Sequence, residues 1–260
     1  MKLAVRKLGT GKPLFILHGL FGSSDNWQTL AKQFGEYFTV YLIDLRNHGH
    51  SPHSDEFSYK AMSEDLVELM TDEGLEKTTL LGHSMGGKVA LQFTVDHHDK
   101  VEKLIVVDIG IKKYPATNQY VVDALEKFSP ENLASRKEAE QILVQYIEDV
   151  GTRQFLLKNL YWDDNQKLQW RFNLEAIKKN LKNVGEASPA PSAPIELPVL
   201  FLKGERSDYI FNGDMRLINV AFPNAKLETI AGAGHWVHAD QPQAFFKAIM
   251  SFLMPDVQLV

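Results

Sequence analysis

Leu3 to Leu8 alternates apolar and polar side chains, Gly9-Thr10-Gly11 supplies turn residues, and Pro13-Leu14-Phe15-Ile16-Leu17 follows as an almost unbroken apolar run. Alternation predicts a half-exposed strand and the run a buried one, so the chain is expected to open with a β-hairpin. Three further short apolar runs, Phe38 to Ile43, Thr78 to Leu81 and Lys103 to Val107, have the length and composition of buried parallel strands. Between them Tyr59, Met62, Leu66, Leu69 and Met70 recur at helical spacing, as do Val89, Ala90 and Phe93. Alternating strand and helix implies an α/β fold built on a doubly wound, mostly parallel sheet flanked by helices.

From about residue 111 to 185 the strand signal vanishes, and helical patterns such as Ile142, Leu143, Tyr146, Ile147 and Val150 replace it. Ser188-Pro189-Ala190-Pro191-Ser192-Ala193-Pro194 cannot hold a helix and reads as a linker back to the sheet. Strands then resume at Pro198 to Leu202 and Ala225 to Ile230. Gln241 to Leu253 closes the chain as a helix with Phe245, Ile249, Phe252 and Leu253 on its apolar face. The expected organisation is one core of residues 1–110 and 186–260, interrupted by a helical insertion over 111–185.

A chain of 260 residues with 44% hydrophobic content is long enough for such a core. Its 33 acidic against 28 basic residues, without blocks of one sign, argue against nucleic acid as a partner. The absence of cysteine excludes disulfides, thiolate metal sites and cysteine nucleophiles. No stretch approaches the roughly 20 apolar residues of a membrane span, and the first eight residues do not resemble a signal peptide. The expectation is a cytoplasmic protein, monomer or homodimer.

The candidate chemistry begins at Gly82-His83-Ser84-Met85-Gly86-Gly87, a G-x-S-x-G directly after the strand Thr79-Leu80-Leu81 and directly before a helical pattern. A strand-to-helix turn that tight needs neighbours without side chains and holds its serine in strained backbone with the hydroxyl exposed. The simpler role, a serine capping an ordinary helix, does not explain the flanking glycines. A serine hydroxyl is a poor nucleophile unless an imidazole takes its proton. Gly232-Ala233-Gly234-His235-Trp236-Val237-His238 follows the last strand, and its glycines make a loop able to present His235 as the base. His238 suits a role within that loop better, and His97 and His98 suit the exposed end of a helix.

The acid that orients the imidazole has two candidates. Asp108 ends the strand Lys103 to Val107, and Asp208 follows Val199 to Leu202 through Gly204-Glu205-Arg206-Ser207. Both keep the order Ser, Asp, His. The position after the later strand is the usual one and favours Asp208, yet spacing alone does not choose. His18-Gly19-Leu20-Phe21-Gly22 follows the second strand, where Leu20 N–H, with Met85 N–H, can stabilise a developing oxyanion, each donor worth roughly 3 kcal/mol. The histidines of Asp44-Leu45-Arg46-Asn47-His48-Gly49-His50-Ser51, with His53, have no matching carboxylate spacing for a metal site, and the segment reads as a structural loop. No metal and no organic cofactor is expected.

Together, His18 to Ser23, Asp44 to Gly49, Gly82 to Lys88 and Gly232 to Ala239 resemble the α/β-hydrolase superfamily, and within it the small bacterial YbfF-like esterases. The resemblance implies the α/β-hydrolase fold, with residues 111–185 as a cap over the site. It also implies that the acid is the aspartate of a Val-Asp-Ile segment, matched here by Val107-Asp108-Ile109, and hence Asp108. Members have a segment resembling Gly-x-x-Ser-x-Tyr, in which this chain places Asp208 before the tyrosine. Tyr114, Tyr120, Phe128, Tyr161 and Trp162 are candidate cap walls, although aromatic residues in a helical insertion more often build core.

The function implied is a serine carboxylesterase acting on short to medium acyl esters through an acyl-enzyme. A thioesterase acting on acyl-CoA, a lactonase or a carbon–carbon bond hydrolase would use the same residues. A ligand-binding or receptor protein that keeps the fold as a pocket is the alternative from another class.

Overall fold

The computed structural model describes residues 1–115 and 118–256. Residues 116–117 of the expected insertion and 257–260 of the expected core lie outside them. In chain order the elements are β1 (Val5–Leu8), β2 (Lys12–Leu17), α1 (Gln28–Phe34), β3 (Phe38–Ile43), α2 (Tyr59–Asp72), β4 (Thr78–His83), α3 (Met85–Asp96) and β5 (Val101–Val107). Then come α4 (Gln119–Leu125), α5 (Arg136–Leu143), α6 (Val150–Leu157), β6 (Leu160–Trp162), β7 (Leu168–Trp170) and α7 (Leu174–Val184). The chain finishes with β8 (Val199–Gly204), α8 (Met215–Ala221), β9 (Ala225–Ile230), α9 (Val237–Asp240) and α10 (Pro242–Leu253).

Seven strands form one sheet in the order β1-β3-β2-β4-β5-β8-β9, parallel throughout except for β1. Side chains alternate between two apolar layers, as the two-residue strand period requires. Phe15, Leu17, Leu80, Leu104, Val106 and Phe201 face Leu66, Val89 and Phe93 of α2 and α3. Leu14, Ile16, Leu81, Ile105, Val107 and Leu202 face Trp27, Phe34, Phe245 and Ile249 beside α1 and α10.

The expected opening hairpin is not formed. β1 and β2 flank β3 on opposite sides and do not pair with each other. Their connection passes over the start of β3 so closely that a Cβ on Gly9, at φ +74°, would lie 2.1 Å from the Gly35 carbonyl oxygen. Two glycines here serve a crossing rather than a two-residue turn. The pattern Ile142 to Val150 is also divided, with α5 ending at Leu143 and α6 starting at Val150. Strands are present where none was expected: β6 and β7 pair as an antiparallel ladder of three residues each, too short for periodicity to register.

Register delivers the site. Leu17 lies opposite Gly82, His83 opposite Val107, and Val107 opposite Leu202. The residues that follow these positions therefore emerge side by side at the carboxyl edge. On either side of β2 the chain order reverses, with β3 to one side and β4 to the other, which is where such sheets open a crevice. No helix among the described residues is long and apolar enough to cross a membrane.

Phe34 is fully buried and its ring lies 5.0 Å from that of Phe246. Phe34→Ala is expected to cost about 3–5 kcal/mol, read as a lower urea midpoint with an unchanged denaturant slope.

Candidate active site

β4 ends at His83 and α3 begins at Met85, so Ser84 alone turns the chain, at φ 52°. That backbone region costs a non-glycine residue on the order of 1–3 kcal/mol. A Cβ on Gly82 would lie 2.2 Å from the Gly86 carbonyl oxygen, and one on Gly86 2.4 Å from that of Leu17. Both glycines are steric requirements of the turn. Ser84 N–H donates to the Val107 carbonyl at 2.9 Å, tying the turn to β5.

Ser84 Oγ is 3.1 Å from His235 Nε2, and His235 Nδ1 is 2.7 Å from Asp108 Oδ2. Asp108 is fully buried, at φ 51°, directly after β5. Its Oδ1 accepts the Gly204 N–H at 3.0 Å and its Oδ2 accepts the Ser207 hydroxyl. These donors aim the carboxylate at the imidazole. Asp208, one residue beyond Ser207, is exposed, and it is Asp108 whose carboxylate meets His235. The Tyr209 ring stacks on His235 at 4.2 Å. Tyr209 and Ser207 follow β8 and were not among the expected site residues; the only sequence cue to them is the Gly-x-x-Ser-x-Tyr segment.

The loop after β2 closes as a turn in which Gly22 N–H donates to the Gly19 carbonyl at 2.9 Å, with Phe21 at φ 59°. Phe21 N–H is taken by His48 Nε2 at 3.1 Å. Leu20 N–H is the donor left between them. Met85 N–H, at the first position of α3, has no acceptor within the helix. The Asp44 to Ser51 segment is thus a support for this turn. His18 Nε2 accepts the Leu45 N–H at 3.0 Å, and Asp44 accepts N–H groups of Ser24 and His50 at 2.7 and 2.9 Å. Just after α6, buried Asn159 donates to the Phe21 carbonyl at 2.8 Å.

A cavity of about 220 Å³ reaches Ser84 and His235, bounded by Leu20, Tyr120, Phe155, Tyr209 and Trp236. A second, of about 30 Å³, also reaches Ser84, between Tyr59, Met85, Lys88, Tyr114 and Leu181. Of the five aromatic residues read as candidate walls, Tyr120 lines the larger cavity and Tyr114 the smaller. The other three do not line either. Phe128 packs on Trp170, Tyr161 lies under the Arg171 guanidinium, and Trp162 is exposed. Phe155 and Trp236 take the place expected of them.

The model of the alpha/beta hydrolase family matches residues 14–248. The chain belongs to that family. A solved structure titled as a marine microorganism esterase superposes on this alpha/beta hydrolase with a TM-score of 0.95 at 47% identity, covering 96% of this chain and 99% of its own. An sn-1-specific diacylglycerol lipase of Mus musculus is 40% identical over 92% of this chain and 80% of its own length. Esterase YbfF of Escherichia coli is 34% identical over 93% and 92%.

Around the hydrolase's serine the remaining imidazoles are buried, which disfavours their charged form. His83 Nε2 is 2.9 Å from the His235 carbonyl oxygen, and burial together with the neighbouring His235 and His238 holds its pKa well below the usual value. His238 stacks on Trp27 at 4.1 Å, and burial lowers its pKa to about 3. Burial does the same to His48. His97 and His98 lie at the opposite end of α3, while His50 and His53 approach Arg171 at the surface. No group of three or more possible metal-binding side chains occurs among the described residues.

An imidazole with a folded pKa near 3 and an unfolded one near 6.5 takes up a proton only on unfolding between those values, so stability falls as pH drops below about 6.5. One such histidine removes about 2 kcal/mol between pH 6.5 and 5. His238→Phe, which keeps a ring against Trp27, is expected to shrink the loss between pH 7 and 5 by about that amount, measured by urea unfolding at the two pH values.

Proposed function

We propose that the protein is a serine carboxylesterase of the alpha/beta hydrolase family that cleaves short to medium acyl esters through an acyl-enzyme. Ser84 acts as nucleophile, His235 as general base and acid, and Asp108 as the carboxylate that orients it. The observation that carries this reading is the continuous contact from Ser84 Oγ to His235 Nε2 to the buried Asp108 carboxylate, at 3.1 and 2.7 Å.

With the Nδ1 proton donated to Asp108, His235 Nε2 presents its lone pair to the serine hydroxyl. Ser84 Oγ adds to the ester carbonyl carbon as its proton passes to Nε2, and the carbonyl oxygen becomes an oxyanion held by Leu20 and Met85 N–H groups. Collapse breaks the bond to the alcohol oxygen, which leaves with the proton from Nε2. Water then adds to the acyl-enzyme by the same route, releasing acid and regenerating Ser84. Asn159, on the Phe21 carbonyl, and His48, on the Phe21 N–H, keep the Leu20 donor in place.

Residues 111–185 act as a cap, a reading supported by Tyr120 on α4 and Phe155 on α6 bounding the larger cavity. The names of the relatives, esterase and diacylglycerol lipase, support ester cleavage on a small-molecule substrate. The lipase name is also the observation that favours a second reading, release of a fatty acid from a glyceride.

Hydrolysis of p-nitrophenyl esters from acetate to palmitate tests this. Ser84→Ala is expected to lower kcat by at least about 10³-fold and Asp108→Asn by about 10⁴-fold at most. Asp208→Asn is expected to stay within about twofold of wild type. Loss on Asp208→Asn with activity retained by Asp108→Asn would overturn the acid assignment.

A further inference from the structure

Ser84 stands where two cavities of unequal size meet, and the chemistry of ester cleavage assigns them different halves of the substrate. The departing alcohol oxygen takes its proton from His235 Nε2, so the alcohol must leave on the side that His235 occupies. His235 lines the cavity of about 220 Å³ and not the one of about 30 Å³. The acyl chain is left with the smaller one, between Met85, Lys88, Tyr59, Tyr114 and Leu181. Roughly 10–15 Å³ of such space holds one water molecule, so the acyl side has room for about two heavy atoms.

The walls of that small cavity are fastened. Tyr59 Oη donates to the Val184 carbonyl at 2.6 Å, and Tyr114 Oη donates to that of Tyr209 at 2.6 Å while accepting the Gly110 N–H at 2.7 Å. Lys88, which is 1% exposed, donates through Nζ to the carbonyls of Lys112 at 2.8 Å and Glu186 at 3.0 Å. These bonds tie both ends of the insertion to α2 and α3. A longer acyl chain would press on these bonded walls, and displacing them would leave buried donors and acceptors unpaired. On the alcohol side Phe155 and Trp236, with ring centroids 4.2 Å apart, offer an apolar surface next to an exposed Tyr120.

Resting on the triad reading above, we infer that the protein is selective for acetyl and propionyl esters of larger apolar alcohols. The cavity behind Ser84 at Tyr59, Lys88, Tyr114 and Leu181 is its acyl-length gauge.

Hexyl acetate and ethyl hexanoate are isomers that exchange the two halves. Wild type is expected to hydrolyse hexyl acetate with a kcat/KM at least about 10-fold higher, the scale of discrimination that methylene groups set in a substrate pocket. Leu181→Ala, which removes part of the wall, is expected to narrow that ratio by raising the rate on ethyl hexanoate. Val184→Ala, at a half-buried position on the same wall, makes the same test where Leu181→Ala does not fold. A wild-type ratio near or below one overturns the inference, as does a ratio of 10 or more that neither folded variant alters. If both esters are cleaved by wild type and neither by Ser84→Ala, the triad reading stands whatever the ratio. Cleavage that survives Ser84→Ala, or no cleavage of either ester by wild type, overturns both.

Discussion

The contact between His235 Nδ1 and the buried carboxylate of Asp108, at 2.7 Å, is the constraint around which the site is arranged. A carboxylate without solvent must be satisfied by the protein. Its partners come from separate parts of the chain: the Gly204 N–H at the end of β8, the Ser207 hydroxyl beyond it, and the imidazole on the loop after β9. These groups converge only because β5, β8 and β9 are paired in register, with Val107 opposite Leu202 and Gly204 opposite Ile230. The sheet is therefore part of the chemistry, since a slip of one residue would turn these side chains to the wrong face.

Strain is concentrated at the same edge. Of the five non-glycine residues with positive φ among the described residues, Phe21, Asn47, Ser84 and Asp108 lie in the loops around the serine, and only Gln166 is elsewhere. Such backbone persists where surroundings over-determine it. Phe21 is held at its N–H by His48 and at its carbonyl by Asn159, and Asn47 is held by Asn173 through both backbone and side chain. Asn159 and Asn173 thus brace these loops. The same stretch of chain carries the carbonyls of Lys112, Val184 and Glu186, to which Lys88 and Tyr59 are tied.

Much of this was legible where function is written in local sterics. Gly82 and Gly86 announce a turn that only glycines can make, and the glycines around His235 announce a loop after the last strand. The central strands and the long helices followed from periodicity because their apolar positions recur over six or more residues. What was not legible depends on long-range pairing. Whether Asp108 or Asp208 meets His235 turns on the alignment of β5 with β8, to which spacing along the chain is blind. The mistaken opening hairpin has the same cause, because Gly9-Thr10-Gly11 reads identically whether it turns back on β2 or passes over β3. The walls of the cavities, Phe155, Tyr209 and Trp236, carry no local signature distinguishing them from core aromatics such as Phe128.

The most direct test of this account is reaction with a fluorophosphonate, followed by peptide mass spectrometry to locate the adduct and by the pH dependence of its rate. The account predicts one phosphonyl group per chain, on Ser84, at a rate that rises with deprotonation of a single group and collapses in Asp108→Asn. An adduct at any other residue, or labelling of Ser84 at the same rate when Asp108 is replaced, would contradict it.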